Sequence, residues 1–281
     1  MIVNTVDESS GLSTHGLIRS ALKTTEEQVR EGWEYLSSLR VLKTTFVEGS
    51  EGDAVLDAIR TSFEPGVLSF LDVGCADGLF TRRAKDLLNL AGTNLSITAI
   101  DPLSAAALST ARQIPHDVVY RTRFEDFSTE AKFDVINVRH SLYYLRDPMS
   151  QVARMTDLLK PGGLLAFTLW GRDCDLYRVY LATRSELANG VSYAMTSEDL
   201  EAALKRNSSL RDIGCRLSTG KINLSAWRGS EDVLRSIYIV LRRQLNLPVS
   251  DGAFALFRTS FQHLMLTGQR TFAVITCRKV A

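Results

Sequence analysis

From residue 66 onward, short apolar runs alternate with segments whose apolar positions recur every three or four residues. The runs VLSFLDV, LSITAID, DVVYRT, FDVINVR and GLLAFTLW predict strands, and FTRRAKDLLNLA, LSAAALSTARQI and PMSQVARMTDLLK predict helices. Such alternation implies crossover helices on a largely parallel sheet, a doubly wound α/β domain. Upstream, TTEEQVREGWEYLSSLR predicts a helix, with Thr24 and Glu27 at capping-box spacing and Val29, Trp33 and Leu36 at helical intervals. DAVLDAIRTSF predicts a second helix, closed by Pro65-Gly66. In the last third, SEDLEAALKRN and SEDVLRSIYIVLRRQLNL predict helices, and CRLSTGKINLSAW and RTFAVITCRKV predict strands. The chain is thus expected to divide into a helical substrate cover over 1–65, of which 1–23 reads as loosely packed, and an α/β domain over 66–281. A helical insert at about 228–268 separates its two last strands. Cover and insert are expected above the sheet's carboxyl edge, where open α/β sheets bind ligands.

Composition narrows the function classes. A chain of 281 residues can bury a large core, and 33 Lys+Arg against 32 Asp+Glu leaves no broad basic surface for nucleic acid. Cys75, Cys174, Cys215 and Cys277 lie far apart without a C-x-x-C pair, so neither a zinc ribbon nor a redox motif is expected. The start, MIVNTVDESSGLS, lacks the basic and apolar regions of a secretory leader, and no apolar run reaches the length of a membrane span. A cytoplasmic protein with a small-molecule bias is expected.

The stretch FLDVGCADGLF carries the candidate chemistry. Gly74, Ala76 and Gly78 predict a turn whose backbone can approach a ligand closely. Asp72 and Asp77 beside it would repel a pyrophosphate, but they suit S-adenosylmethionine, which carries a sulfonium and an ammonium and no phosphate. Asp101, closing ITAID, can accept hydrogen bonds from ribose hydroxyls. RFEDF follows the third strand, where Glu125 or Asp126 can receive an adenine amine, and LLKPGGLLAF is a helix end, a turn and a buried strand.

With LDVGCADG, AIDPL, FEDF, FDVINVRHSLYYL and LLKPGGLLAF in order over roughly 66–170, the chain resembles the class I S-adenosylmethionine-dependent methyltransferases. The resemblance implies a Rossmann-like seven-stranded sheet with a helical cover. It implies a cofactor site drawn from Asp72, Gly74, Cys75, Ala76, Gly78, Asp101, Pro102, Phe124, Glu125, Asp126 and Arg139. A narrower likeness, in HSLYYLRDP, YAMTSEDLEAAL and RTFAVITCRK, is to histamine N-methyltransferase and its relatives. It implies a small cationic acceptor wrapped by aromatic residues, with His140, Tyr143 and Tyr144 at the acceptor.

Methyl transfer is an in-line displacement that needs alignment more than acid or base power. His140, just past the fourth strand, is a candidate base or substrate ligand, or else an orienting partner of Tyr143. Tyr143, Tyr144 and Trp170 are candidate aromatic walls, Trp33 and Tyr35 candidate lid residues, and Asp173 or Asp175 a candidate anchor for an ammonium. Cys75 reads as a small residue in a tight loop, and Arg242 and Arg243 as a solvated helix face; no metal is expected. The expected activity is methylation of an amine or imidazole nitrogen of a small molecule. O-methylation with His140 as base, or cofactor binding without catalysis, are the alternatives. The expected partners are a small-molecule acceptor and, as one possibility, a second copy of the chain.

Overall fold

The computed structural model describes residues 18–20, 25–47, 51–187, 195–245 and 250–280. The elements begin with β1 (Ile18–Ser20), α1 (Glu26–Thr44), β2 (Phe46–Val47) and α2 (Glu51–Ser62). There follow β3 (Val67–Val73), α3 (Leu79–Leu90), β4 (Asn94–Ile100), α4 (Ser104–Gln113), β5 (Val118–Arg121), β6 (Phe133–Arg139), α5 (Pro148–Leu158) and β7 (Leu159–Trp170). The chain closes with α6 (Asp175–Leu187), α7 (Ser197–Leu204), β8 (Leu210–Ile222), α8 (Leu224–Gly229), α9 (Glu231–Leu245), α10 (Asp251–His263) and β9 (Gln269–Lys279). Apart from β1, the expected loose segment 1–23 lies outside the described residues.

Seven long strands form a mixed α/β sheet in the order β5-β4-β3-β6-β7-β9-β8. The first five are parallel, and β9 runs antiparallel between β7 and β8. Short β1 extends the sheet beside β5, and short β2 extends it beside β8. Successive residues of a strand face opposite sides. In β3, Phe70 therefore joins α2, α3 and α4 in one apolar layer, while Leu71 joins α5 and α7 in the other. A third apolar cluster belongs to α1, α6, α9 and α10, around the fully buried Trp227, whose indole N–H donates to Thr45 Oγ1 at 2.8 Å. Of the first 65 residues, α1 lies with α9 over the sheet edge, whereas α2 packs on the sheet face with α3.

Three local expectations shift. The capping box of α1 uses Thr25 and Gln28, one residue beyond the expected pair: Thr25 Oγ1 accepts the Gln28 N–H at 3.2 Å, and the Gln28 side chain takes the Thr25 N–H at 3.1 Å. CRLSTGKINLSAW is not one strand. Asn223 accepts the Ala226 N–H at 3.0 Å and caps α8, which ends β8 at Ile222. α6 was not foreseen as a separate helix; its first residue, Asp175, is completely buried.

Candidate active site

A cavity of about 820 Å³ opens at the carboxyl edge, between the ends of β3, β4, β6 and β7, the start of β9, and the facing sides of α1 and α9. On the β3–β5 side, the Gly74 and Cys75 N–H groups both donate to the Ile100 carbonyl, at 2.8 and 3.2 Å, and draw the first loop across β4. Gly74 (φ +78°) and Gly78 (φ +74°) are left-handed, but the room they leave is taken by protein. A Cβ on Gly74 would sit 2.4 Å from Ser141 Cβ, and one on Gly78 would sit 2.7 Å from Thr110 Cα. Ser141 and Thr110 thus close on the two glycines from the protein side, while Gly74 also lines the cavity. Gly78 is outside the cavity wall. Ala76 lines it, in a left-handed conformation (φ +50°) that costs an alanine roughly 1–2 kcal/mol.

Asp101 lines the cavity and is buried. It accepts the Ala76 N–H at 3.1 Å and the Leu103 N–H at 2.9 Å, one on each oxygen. A carboxylate has about four acceptor positions, so two remain toward the cavity, matching the two hydroxyls of a ribose. Burial, only partly offset by those N–H groups, pushes its pKa up to about 6. Asp72 also lines the cavity, yet accepts from Asn137 Nδ2 (2.8 Å) and Thr81 Oγ1; burial raises its pKa against these bonds. Pro102, Phe124 and Glu125 line the wall, and Glu125 accepts the Arg146 N–H at 2.8 Å. Asp126 does not: the one-turn helix Phe124–Asp126 buries Phe124 and turns Asp126 to solvent. Cys75 lines the wall, but burial raises its thiol well above the ordinary range, which rules against a nucleophile.

On the β6–β9 side, Arg139, His140, Trp170, Arg270 and Phe272 converge with Glu51 from the start of α2. Glu51 Oε1 accepts from Arg139 Nη2 at 2.8 Å, and Oε2 accepts from Arg270 Nη2 at 2.9 Å. Burial opposes ionisation of Glu51, but His140 and the two guanidiniums more than offset it and hold the carboxyl far below the usual range. His140 has a left-handed backbone (φ +51°), and its N–H donates to the Thr168 carbonyl at 3.0 Å. Its Nε2 stands 3.6 Å from Glu51 Oε1, while Nδ1 is buried without a partner. Burial lowers the imidazole pKa in spite of Glu51, which favours the neutral ring. The Arg270 guanidinium lies over Phe46 at 4.2 Å and Phe272 at 4.7 Å.

The aromatic expectations divide. Tyr144 lines the cavity, and its hydroxyl is 2.8 Å from that of Tyr35, the lid residue of α1. Tyr143 is outside the wall: its hydroxyl accepts the Trp170 N–H, and its ring stacks on Trp170 at 4.4 Å, so it backs the wall. Neighbours on one short helical turn point apart. Trp33 is 37% exposed and outside the cavity, because it lies on the solvent side of α1. Asp175 is no anchor either, since its carboxylate takes the N–H groups of Thr267, Gly268 and Gln269 and builds the turn before β9. Asp173 is exposed and outside the wall. Arg242 and Arg243 line the cavity after all. Arg242 reaches Glu34 at 3.4 Å, and Arg243 lies 5.4 Å from the Tyr35 ring centroid.

Sequence reasoning missed Glu51, Lys43 and Arg270, all of which line the cavity. Glu51 and Arg270 are 219 positions apart, and no local motif marks either. The one signal was the register of the last strand, which sets Phe272 beside Trp170 and brings Arg270 to the edge. Among the described residues, no group of three His, Cys, Asp or Glu could hold a metal ion, and no helix is long and apolar enough to cross a membrane.

A model of the methyltransferase domain family matches residues 40–208. The ubiquinone biosynthesis O-methyltransferase of Thiobacillus denitrificans is 32% identical over 114 residues, 38% of this chain and 46% of that protein. The protein of the same name from Alkalilimnicola ehrlichii is 33% identical over 114 residues, 38% of this chain and 43% of that one. The chain thus spans about half the length of the curated relatives it matches. Two solved structures share the fold. One, from Bacillus halodurans and provisionally assigned as a methyltransferase, has a TM-score of 0.52 at 15% identity, covering 81% of this chain and 98% of that one. The other is Haemonchus contortus phosphoethanolamine N-methyltransferase 2 with S-adenosylhomocysteine, with a TM-score of 0.52 at 15% identity, covering 82% of this chain and 52% of that one.

Proposed function

The chain belongs to the methyltransferase domain family, a class I methyltransferase dependent on S-adenosylmethionine, and on that premise we propose that it methylates an oxygen of a small molecule, with His140 taking up the proton. The observation that carries the choice of oxygen is the ion cluster on the β6–β9 side. Glu51 is already shared by Arg139 and Arg270, so an amine that accepts the methyl would gain its positive charge beside two guanidiniums and a committed carboxylate. A hydroxyl that gives up its proton yields an uncharged product. The two relatives described above carry O-methyltransferase names, which agrees with this choice.

The cofactor supplies an electrophilic methyl on a sulfonium. Asp101 would hold its ribose hydroxyls, residues 74–77 and Asp72 would flank its methionine part, and Pro102, Phe124 and Glu125 would flank the base. Trp170 and Tyr144 wall the acceptor and keep water off it. His140 lines the cavity, where an acceptor hydroxyl would meet its ring, and its Nε2 stands 3.6 Å from Glu51 Oε1. The acceptor oxygen would take the methyl as the methyl–sulfur bond breaks and a neutral thioether leaves; the hydroxyl proton would pass to the imidazole of His140, and Glu51 would stabilise the imidazolium. α1 and the insert at about 228–268 serve as the acceptor's cover.

A second reading, transfer to a nitrogen, draws on the Trp170 ring at the cavity wall, since an aromatic ring favours a cation by roughly 0.5–2 kcal/mol. It is also the reading that the likeness to histamine N-methyltransferase would favour. A panel of phenols, hydroxy acids, amines and imidazoles, assayed by mass gain of one methyl, separates the two. Turnover confined to amines and imidazoles would refute the oxygen reading.

A further inference from the structure

The carboxylates of the first loop suit the sulfonium and the ammonium of the cofactor, and they leave its α-carboxylate without a cation. Most described cations of the cavity wall are engaged. Arg139 and Arg270 hold Glu51, Arg242 reaches Glu34, and Arg243 lies over the Tyr35 ring. Arg123 stands beyond β5, on the side assigned to the base. Lys43 differs. It lies in the last turn of α1, where a cation complements the carbonyl end of the helix. Its Nζ has no hydrogen-bond partner among the described residues, and it stands 3.8 Å from Asp77 Oδ2, in the first loop. Arg40, one turn earlier on the same face, has its Nε 3.9 Å from the same oxygen. Both gaps exceed hydrogen-bond reach, so α1 suspends two cations over the loop without locking either.

Resting on the cofactor reading above, we propose that Lys43, seconded by Arg40, binds the α-carboxylate of S-adenosylmethionine. The cofactor then ties α1 to the first loop. Because α1 also carries Tyr35, hydrogen-bonded to Tyr144, the same contact holds the cover over the acceptor side.

The test is calorimetric titration of the full chain with S-adenosylmethionine and with its decarboxylated analogue, which keeps sulfonium and ammonium. Wild type is expected to favour the intact cofactor. Lys43→Met is expected to weaken the intact cofactor by about tenfold, as for a half-exposed charge-assisted hydrogen bond, and to change the analogue by less than about twofold. Lys43→Arg is expected to recover most of the loss. Equal loss on both ligands, or no loss on either, overturns the proposal. Wild type binding neither ligand would instead refute the cofactor reading beneath it.

Discussion

The β3–β5 side of the cavity is lined by one stretch of chain, residues 72–125, in which every contributor but Phe80 of α3 stands at the carboxyl end of a strand or in the loop after it. The β6–β9 side is assembled from Glu51, His140, Trp170 and Arg270, which come from a helix start, two strand ends and a strand beginning. Charge follows the same division. Asp72, Asp77, Asp101 and Glu125 flank the first side, whereas two arginines and a histidine surround a single shared carboxylate on the second. A doubly wound sheet thus supplies one ligand half from local loops, and leaves the other to whatever the late strands and covering helices bring to the edge.

The sharpest way to separate the halves is His140→Ala. Turnover is expected to fall by about 10²–10⁴, the usual worth of a positioned base, while calorimetry finds S-adenosylhomocysteine affinity unchanged. Next, Glu51→Gln takes the shared carboxylate from two partly buried guanidiniums, for which a loss of roughly 1–3 kcal/mol is expected, read as a lower thermal midpoint. The Glu51 pKa is held below its ordinary 4.5, so its contribution to stability is complete above that value and drains away as pH falls below it. Glu51→Gln should therefore flatten the acid side of the stability curve.

Asp101→Ala probes the other half. Removing two charge-assisted hydrogen bonds to ribose is expected to weaken S-adenosylhomocysteine by about 10–100-fold, and the thermal midpoint is expected to fall as well, because the Ala76 and Leu103 N–H groups lose their acceptor. A milder perturbation is pH. The free Asp101 carboxyl titrates at about 6, and ribose hydroxyls favour its ionised form, so binding the cofactor lowers that pKa and releases a proton at acid pH. Affinity should be level above about pH 7 and fall by up to tenfold per unit below 6, with proton release visible as buffer-dependent heat. The smallest effect is expected of Trp33→Ala, which lies outside both halves and should leave cofactor affinity and turnover within about twofold.

Legibility follows the same boundary. The strands from 67 to 170 were readable because a buried parallel strand is a nearly unbroken apolar run, and Asp101 because its place at a strand end defines its task. His140 was readable from its place after β6. Glu51 and Arg270 were not, since an ion pair across 219 positions has no local pattern, and a charged residue opening a helix normally serves only that helix. Tyr143 and Tyr144 are adjacent and alike in sequence. The hydroxyl partner decides which one lines the cavity: the Trp170 backbone turns one away, and Tyr35 holds the other at the wall. Arg242 and Arg243 resembled a solvated face until α1 lay against α9 and brought both to the cavity.

A crystal structure of the full chain with S-adenosylhomocysteine tests the two-sided site most directly. The arrangement predicts both ribose hydroxyls on the Asp101 carboxylate and the thioether sulfur directed across the cavity toward His140 and Trp170. A nucleoside bound on the β6–β9 side, or a sulfur turned away from His140, would contradict it.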